Sequence, residues 1–179
     1  MGNSKTRKLV MAALCVALGL ILPTVFHAVP NAGSIFLPMH LPVLLCGFIC
    51  GWPYGLVCGA LTPLLSSVLT GMPPLAVLPG MLCELATYGF VSGMLYAHLH
   101  TPKRAVNLYG TLVLAMLAGR IVSGVLNALL FSVVTYSMQT WLAASFVTAL
   151  PGIVIQLVAV PVLVAVLQKA KLAEVPQRA

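Results

Sequence analysis

The sequence predicts an all-α integral membrane protein with six spanning helices and both termini in the cytoplasm. Three observations carry that prediction. First, 61% of the 179 residues are hydrophobic and 6% are charged, with a mean hydropathy of +1.10; a soluble domain carries roughly a quarter charged residues. Nine basic and two acidic side chains cannot cover a soluble chain of this size, which would expose apolar patches and aggregate. Second, apolar runs near the length needed to cross a bilayer, about 20 residues, recur along the chain. Third, every Lys and Arg except Arg120 falls between alternate runs, the positive-inside bias.

The first span covers residues 9–26, after Lys5-Thr6-Arg7-Lys8. The first six residues also fit a myristoylation pattern, and the basic run before an apolar stretch fits a signal peptide. The first pattern matters only in a eukaryotic cytosol and no soluble domain follows the second, so the segment is read as a span. The second span covers 35–50, interrupted by Pro38 and Pro42. Gly51-Trp52-Pro53-Tyr54 reads as a tight break, because Pro53 disfavours helical backbone at Trp52. The third span covers 55–69, and residues 70–80, with Pro73, Pro74 and Pro79, read as a structured loop.

The fourth span covers 81–98, the fifth 106–131, and the sixth 141–167 with kinks at Pro151 and Pro161. Residues 1–179 thus form a single membrane domain. The segments 1–8, 51–54, 101–104 and 168–179 lie inside; 27–34, 70–80 and 132–140 lie outside and contain no Lys or Arg. The basic clusters need no nucleic-acid partner, since flanking cations are what membrane insertion selects. Gly47, Gly51, Gly55 and Gly59 recur every four residues, which predicts close approach of two short antiparallel helices about the break.

Cys15, Cys46, Cys50, Cys58 and Cys83 all lie in apolar runs. Cys46, Cys50 and Cys58 are weighed as a metal site, but His40 is the only imidazole nearby, and buried thiolates without a metal are costly. Small packing residues are the favoured reading, with no metal and no cofactor expected. An odd count argues against a disulfide framework.

Ionisable residues inside a span are costly and therefore functional candidates. Glu84 falls roughly 5–8 Å below the outer end of the fourth span, where the helix dipole favours an anion. Arg120 falls near the midplane of the fifth. Helical spacing aligns Arg120, Ser123, Gly124 and Asn127 on one face, and Glu84, Tyr88 and Ser92 on another. Thr62, Ser66 and Thr70 share a third, and Ser145, Thr148, Gly152 and Gln156 a fourth. One stripe is ordinary interhelical glue; four at similar depth predict a shared, partly hydrated cavity opening outward.

The competing reading makes Glu84 and Arg120 a buried pair that only fixes packing. His40, near the outer end of the second span, reads as packed or water-facing before it reads as a contact. Trp141 and Tyr136 fit an interfacial aromatic belt. No GxxxxGK loop, paired carboxylates or HExxH is present, so no enzymatic activity is expected.

The runs AALCVALGLILP, FLPMHLPVLLCGFICGWPYGLVCG, PLLSSVLTGMPPL, ELATYGFVSGMLY, AGRIVSG and PGIVIQL, in this order, resemble the substrate-binding (S) component of energy-coupling factor (ECF) vitamin transporters. The resemblance spans Leu9 to about Lys171. It implies tight binding of a small water-soluble vitamin or precursor from outside, under a lid that would be residues 27–34, 70–80 and 132–140. It implies a prokaryotic cell membrane, a membrane coupling (T) subunit and two cytoplasmic ATPases that drive toppling of the S component. Ala13 and Ala17 match the family's Ala-x-x-x-Ala surface for the coupling subunit. The preferred ligand contacts are Glu84, Arg120, Asn127 and Gln156, with His40, Tyr88, Ser66 and Thr148 behind them. Two alternatives stand beside this: a non-transporting scaffold with a structural Glu84–Arg120 pair, and a secondary transporter or channel in which the acid relays protons.

Overall fold

The computed structural model describes residues 4–25, 32–99, 103–131, 138–170 and 172. Residues 27–31 and 132–137 of the expected outer loops, with Tyr136, lie outside the described residues, as do Lys171, Glu174 and Arg178. Among the described residues all regular structure is helical. The helices are α1 (Ser4–Val25), α2 (Ala32–Phe36), α3 (His40–Cys50), α4 (Trp52–Thr70), α5 (Leu78–His98), α6 (Arg104–Phe131), α7 (Met138–Leu142) and α8 (Leu150–Lys169), with a π-helical segment, Ala143–Thr148, before α8.

Five stretches among the described residues are long and apolar enough to cross a membrane: Lys5–Val25, Gly33–Cys50, Trp52–Thr70, Arg104–Leu129 and Leu150–Lys169. The remaining long helix, α5, has 21 residues, a length of about 31 Å at 1.5 Å per residue. It is as long as a span, but Glu84, Thr87, Tyr88 and Ser92 make it more polar than its neighbours.

Proline positions explain where the helices depart from the apolar runs. Pro53, Pro79 and Pro151 each sit in the first turn of a helix, α4, α5 and α8 respectively. There the missing N–H is one that the helix leaves unbonded anyway. Trp52-Pro53 is therefore a helix start and not the expected break. The reversal is made by Gly51 alone, at φ +93°, a conformation that costs a glycine little. The second apolar run is split into α2 and α3 at Leu37, a non-glycine residue held at φ 49°, which is strained backbone. The sixth run is broken by the π-helical segment and by Ala149.

α3 is the centre of the bundle. All of its residues except Leu41 are buried, and it packs against α1, α4, α5 and α8. The most extensive helix pair is α4 with α5, and α6 lies against α5 while touching α8 only slightly.

Glycines set how closely these helices approach. A Cβ on Gly89 would overlap the Gly55 backbone, with Gly55 Cα at 3.0 Å; one on Gly59 would meet the Leu85 carbonyl carbon at 2.5 Å. One on Gly93 would meet Trp52 Cα at 2.6 Å, and one on Gly55 would meet Gly47 Cα at 2.8 Å. The expected seam thus joins three helices and not two: Gly47 from α3, Gly55 and Gly59 from α4, and Gly89 and Gly93 from α5. Backbone on backbone is the closest contact that helices make, and in lipid this packing replaces the hydrophobic drive available in water.

Gly89→Ala is expected to lower the stability of the detergent-solubilised protein by about 1–3 kcal/mol, because backbone cannot move aside as a side chain does. Gly110 in α6 has nothing within 4 Å of an added Cβ, so Gly110→Ala should raise stability by about 0.5–1 kcal/mol. Thermal unfolding of both variants in one detergent checks the pair; equal shifts would contradict the seam.

Candidate functional site

α5 and α6 run antiparallel in a register that two glycines reveal. Asn127 Oδ1 lies 2.5 Å from where a Cβ would sit on Gly80, and the Tyr88 ring covers Gly119. Eight residues forward along α5 thus match eight residues back along α6. Arg120 is brought level with Tyr88, and Ser123, which is buried, level with Glu84.

The Tyr88 hydroxyl donates to Glu84 Oε1 at 3.0 Å, within one face of α5. His40 Nε2 approaches the same oxygen at 3.7 Å, an electrostatic contact longer than a hydrogen bond. The His40 and Tyr88 rings meet edge to face, with centroids 5.4 Å apart. His40 and Tyr88 are both buried, and Glu84 is 17% exposed. The strained Leu37 carbonyl accepts from His40 N–H at 3.1 Å, so the α2–α3 break sets where the imidazole enters.

Arg120 is 4% exposed and close enough for its charge to act on both Glu84 and Tyr88. Among the described residues it forms no ion pair with Glu84; the ion-pair contact of that carboxylate is with His40. Arg120 Nη2 has no hydrogen-bond partner among them. The guanidinium instead lies 5.5 Å from the centroid of the Phe146 ring, a cation–π contact. Phe146 packs edge to face on Trp141, centroids 6.0 Å apart, and Trp141 lies over Gly124. Nothing in the sequence singles out Phe146, an aromatic residue in an apolar run. Only its position opposite Arg120 gives it a role.

From α8, Gly152 packs on the backbone of Ile35 and Phe36 in α2, with Ile35 O at 2.8 Å from an added Cβ. α3 and α8 are neighbours, and Gln156, one turn beyond Gly152, lies on the α8 face turned towards α2 and α3. Gln156 is fully buried, yet neither Nε2 nor Oε1 has a partner among the described residues, and His40 Nδ1 has none either. Thr148 was expected on the same face as Gln156. It is exposed, because the π-helical winding and the break at Ala149 rotate the earlier residues off that face. Ser145 is half-buried in the same segment.

The remaining expected residues hold the end of the bundle opposite Lys103 and Arg104. Ser66 donates to Met72 O at 2.7 Å and Ser67 to Pro73 O at 2.9 Å. These two bonds strap the 71–77 loop down on α4, so the Ser66 hydroxyl is already committed. Asn127 is half-buried beside Gly80. Ala13 and Ala17 are exposed on α1 while Ala12, Cys15 and Gly19 face inward. Cys46, Cys50 and Cys58 are buried in the apolar core. Among the described residues no group of three or more His, Cys, Asp or Glu could hold a metal ion.

The site therefore offers a buried guanidinium N–H, an imidazole nitrogen and both ends of an amide, beside a carboxylate that Tyr88 and His40 already engage. Leaving such atoms unpaired in an apolar interior costs about 1–3 kcal/mol each. Native proteins keep them where water or a ligand completes them.

The family model for the ECF transporter substrate-specific component matches residues 7–164. No curated protein and no solved structure matches the chain. The match covers all of the site described above, and the all-helical bundle agrees with it. The chain belongs to the family of ECF transporter substrate-specific components, the membrane subunits that bind substrate and are not themselves enzymes.

Proposed function

We propose that this chain captures a small water-soluble vitamin or vitamin precursor from outside a prokaryotic cell and delivers it through an ECF transporter. The observation that carries the proposal is the set of buried, unpartnered polar atoms on Arg120, Gln156 and His40, drawn from three helices of an S-component fold. Arg120, Gln156 and His40 touch the ligand, and Glu84 and Tyr88 hold the imidazole and the ring in place. Asn127 and the 71–77 loop lie nearer the mouth. The bundle crosses the membrane six times, with both termini on the cytoplasmic side. A T subunit and two ATPases supply the energy, and Ala13 and Ala17 on the exposed face of α1 present a smooth surface to the T subunit.

Uptake of the ligand into proteoliposomes should require the T subunit, both ATPases and ATP. Ala13→Trp together with Ala17→Trp should reduce uptake at least about tenfold while leaving binding to the isolated chain unchanged. Uptake driven by a proton gradient without the ATPases would sink the proposal in favour of a secondary transporter. Protein that never releases a small molecule on denaturation would favour a scaffold.

The straps give a second expectation. Ser66→Ala with Ser67→Ala frees the 71–77 loop at a cost of about 0.5–1.5 kcal/mol per bond, and ligand exchange should quicken several-fold. Stopped-flow release from nanodisc-held protein measures this, and an unchanged exchange rate would remove the loop from the lid.

A further inference from the structure

We infer that the compound bound here is an acid that also carries an amide-like edge. Its carboxylate pairs with Arg120, and its adjacent C=O and N–H couple pairs with Gln156. The inference rests on the substrate-binding reading above and goes on to name the chemistry of the ligand.

Three features of the site require it. Arg120 is a nearly inaccessible cation in a bundle with almost no charge. The Glu84 charge reaches it only through space, its Nη2 has no partner among the described residues, and a buried ion whose donors are not all met is unfavourable. The one carboxylate nearby, Glu84, forms no ion pair with Arg120 among the described residues; its Oε1 accepts from the Tyr88 hydroxyl at 3.0 Å and faces His40 at 3.7 Å. The Phe146 ring offers Arg120 only the partial negative charge of its face. An entering carboxylate completes the guanidinium by the short charge-assisted bond that its planar geometry favours.

The amide of Gln156 specifies the rest. Both its donor and its acceptor are open in a fully buried residue, so a purely accepting or purely donating ligand would leave one end unmet. A lactam, ureido or carboxamide edge meets both at once. A cationic ligand would meet Arg120 with like charge. A hydrocarbon-like ligand would leave four polar atoms unpaired: Arg120 Nη2, His40 Nδ1 and both ends of Gln156.

The test uses the full chain in nanodiscs and, as the probe, a protein-free metabolite extract of bacterial cells. After washing and denaturation, released compounds are identified by mass spectrometry and by retention on an anion exchanger at neutral pH. The expected species is retained as an anion, contains an amide-like group, and is bound at near-stoichiometric amount. Arg120→Gln should lower its retention at least about tenfold, with Arg120→Lys retaining more than Arg120→Gln. Gln156→Glu, nearly the same shape but negatively charged, should also lose it at least about tenfold; this variant decides the matter if Arg120→Gln does not give monodisperse protein.

A cation or an uncharged compound released from the wild type would overturn the inference while leaving substrate binding intact. So would an acid that folded Arg120→Gln or Gln156→Glu retains undiminished, or an acid that lacks any amide-like group. Absence of any bound compound would instead overturn the substrate-binding reading itself, and the inference with it.

Discussion

The closeness of α3, α4 and α5 is the constraint on which the rest of the molecule depends. In lipid the side chains of a helix gain nothing by leaving their surroundings, so packing rests on contact area and shape. Gly47, Gly55, Gly59, Gly89 and Gly93 remove the Cβ atoms that would separate three helices. The backbones then meet, and α3 is enclosed along almost its whole length. That enclosed helix delivers His40 into the bundle. The same α5 that carries Gly89 and Gly93 on its packed face carries Tyr88 directly before Gly89 and Glu84 about one turn before that. A rigid seam and one half of the polar site are therefore parts of the same two helices.

The other half of the site hangs on α6 and α8, which barely touch each other. α6 is registered on α5 through Gly80 and Gly119, yet it touches α8 only slightly. Arg120 and Gln156 project from these two helices. α7 and the π-helical segment bring Trp141 and Phe146 over Arg120 and Gly124. The strained Leu37 lies at the junction of α2 and α3, where backbone must bend for His40 to point inward.

Much of this site was legible in the sequence because charge in an apolar run is rare enough to be conspicuous. Glu84, Arg120 and Gln156 stood out on composition and spacing alone. His40 did not, since an isolated histidine near a span end has several ordinary uses; its meeting with Glu84 and Tyr88 depends on the turn at Leu37. Thr148 was placed on the Gln156 face by assuming regular α-helical winding, which the π-helical segment does not have. Phe146 carried no signal because an aromatic residue is unremarkable in lipid. Ser66 was placed on a polar stripe as a secondary ligand contact, but its bond to Met72 could not be read from spacing.

The sequence by itself determined the all-helical membrane architecture, the family and the short inventory of polar residues, because burying a charge or an amide in lipid costs enough to make each instance count. Pairing between helices was decided only by the tertiary structure. From spacing, Glu84 and Arg120 were natural partners, opposite in sign and at compatible depth. Tyr88, one turn on along α5, holds one carboxylate oxygen; the packing of α3 against α5 brings His40 to that same oxygen, and the guanidinium is left facing an aromatic ring. Which atoms are satisfied depends on separations of an ångström or two between helices distant in sequence, and no periodicity within one helix encodes those separations.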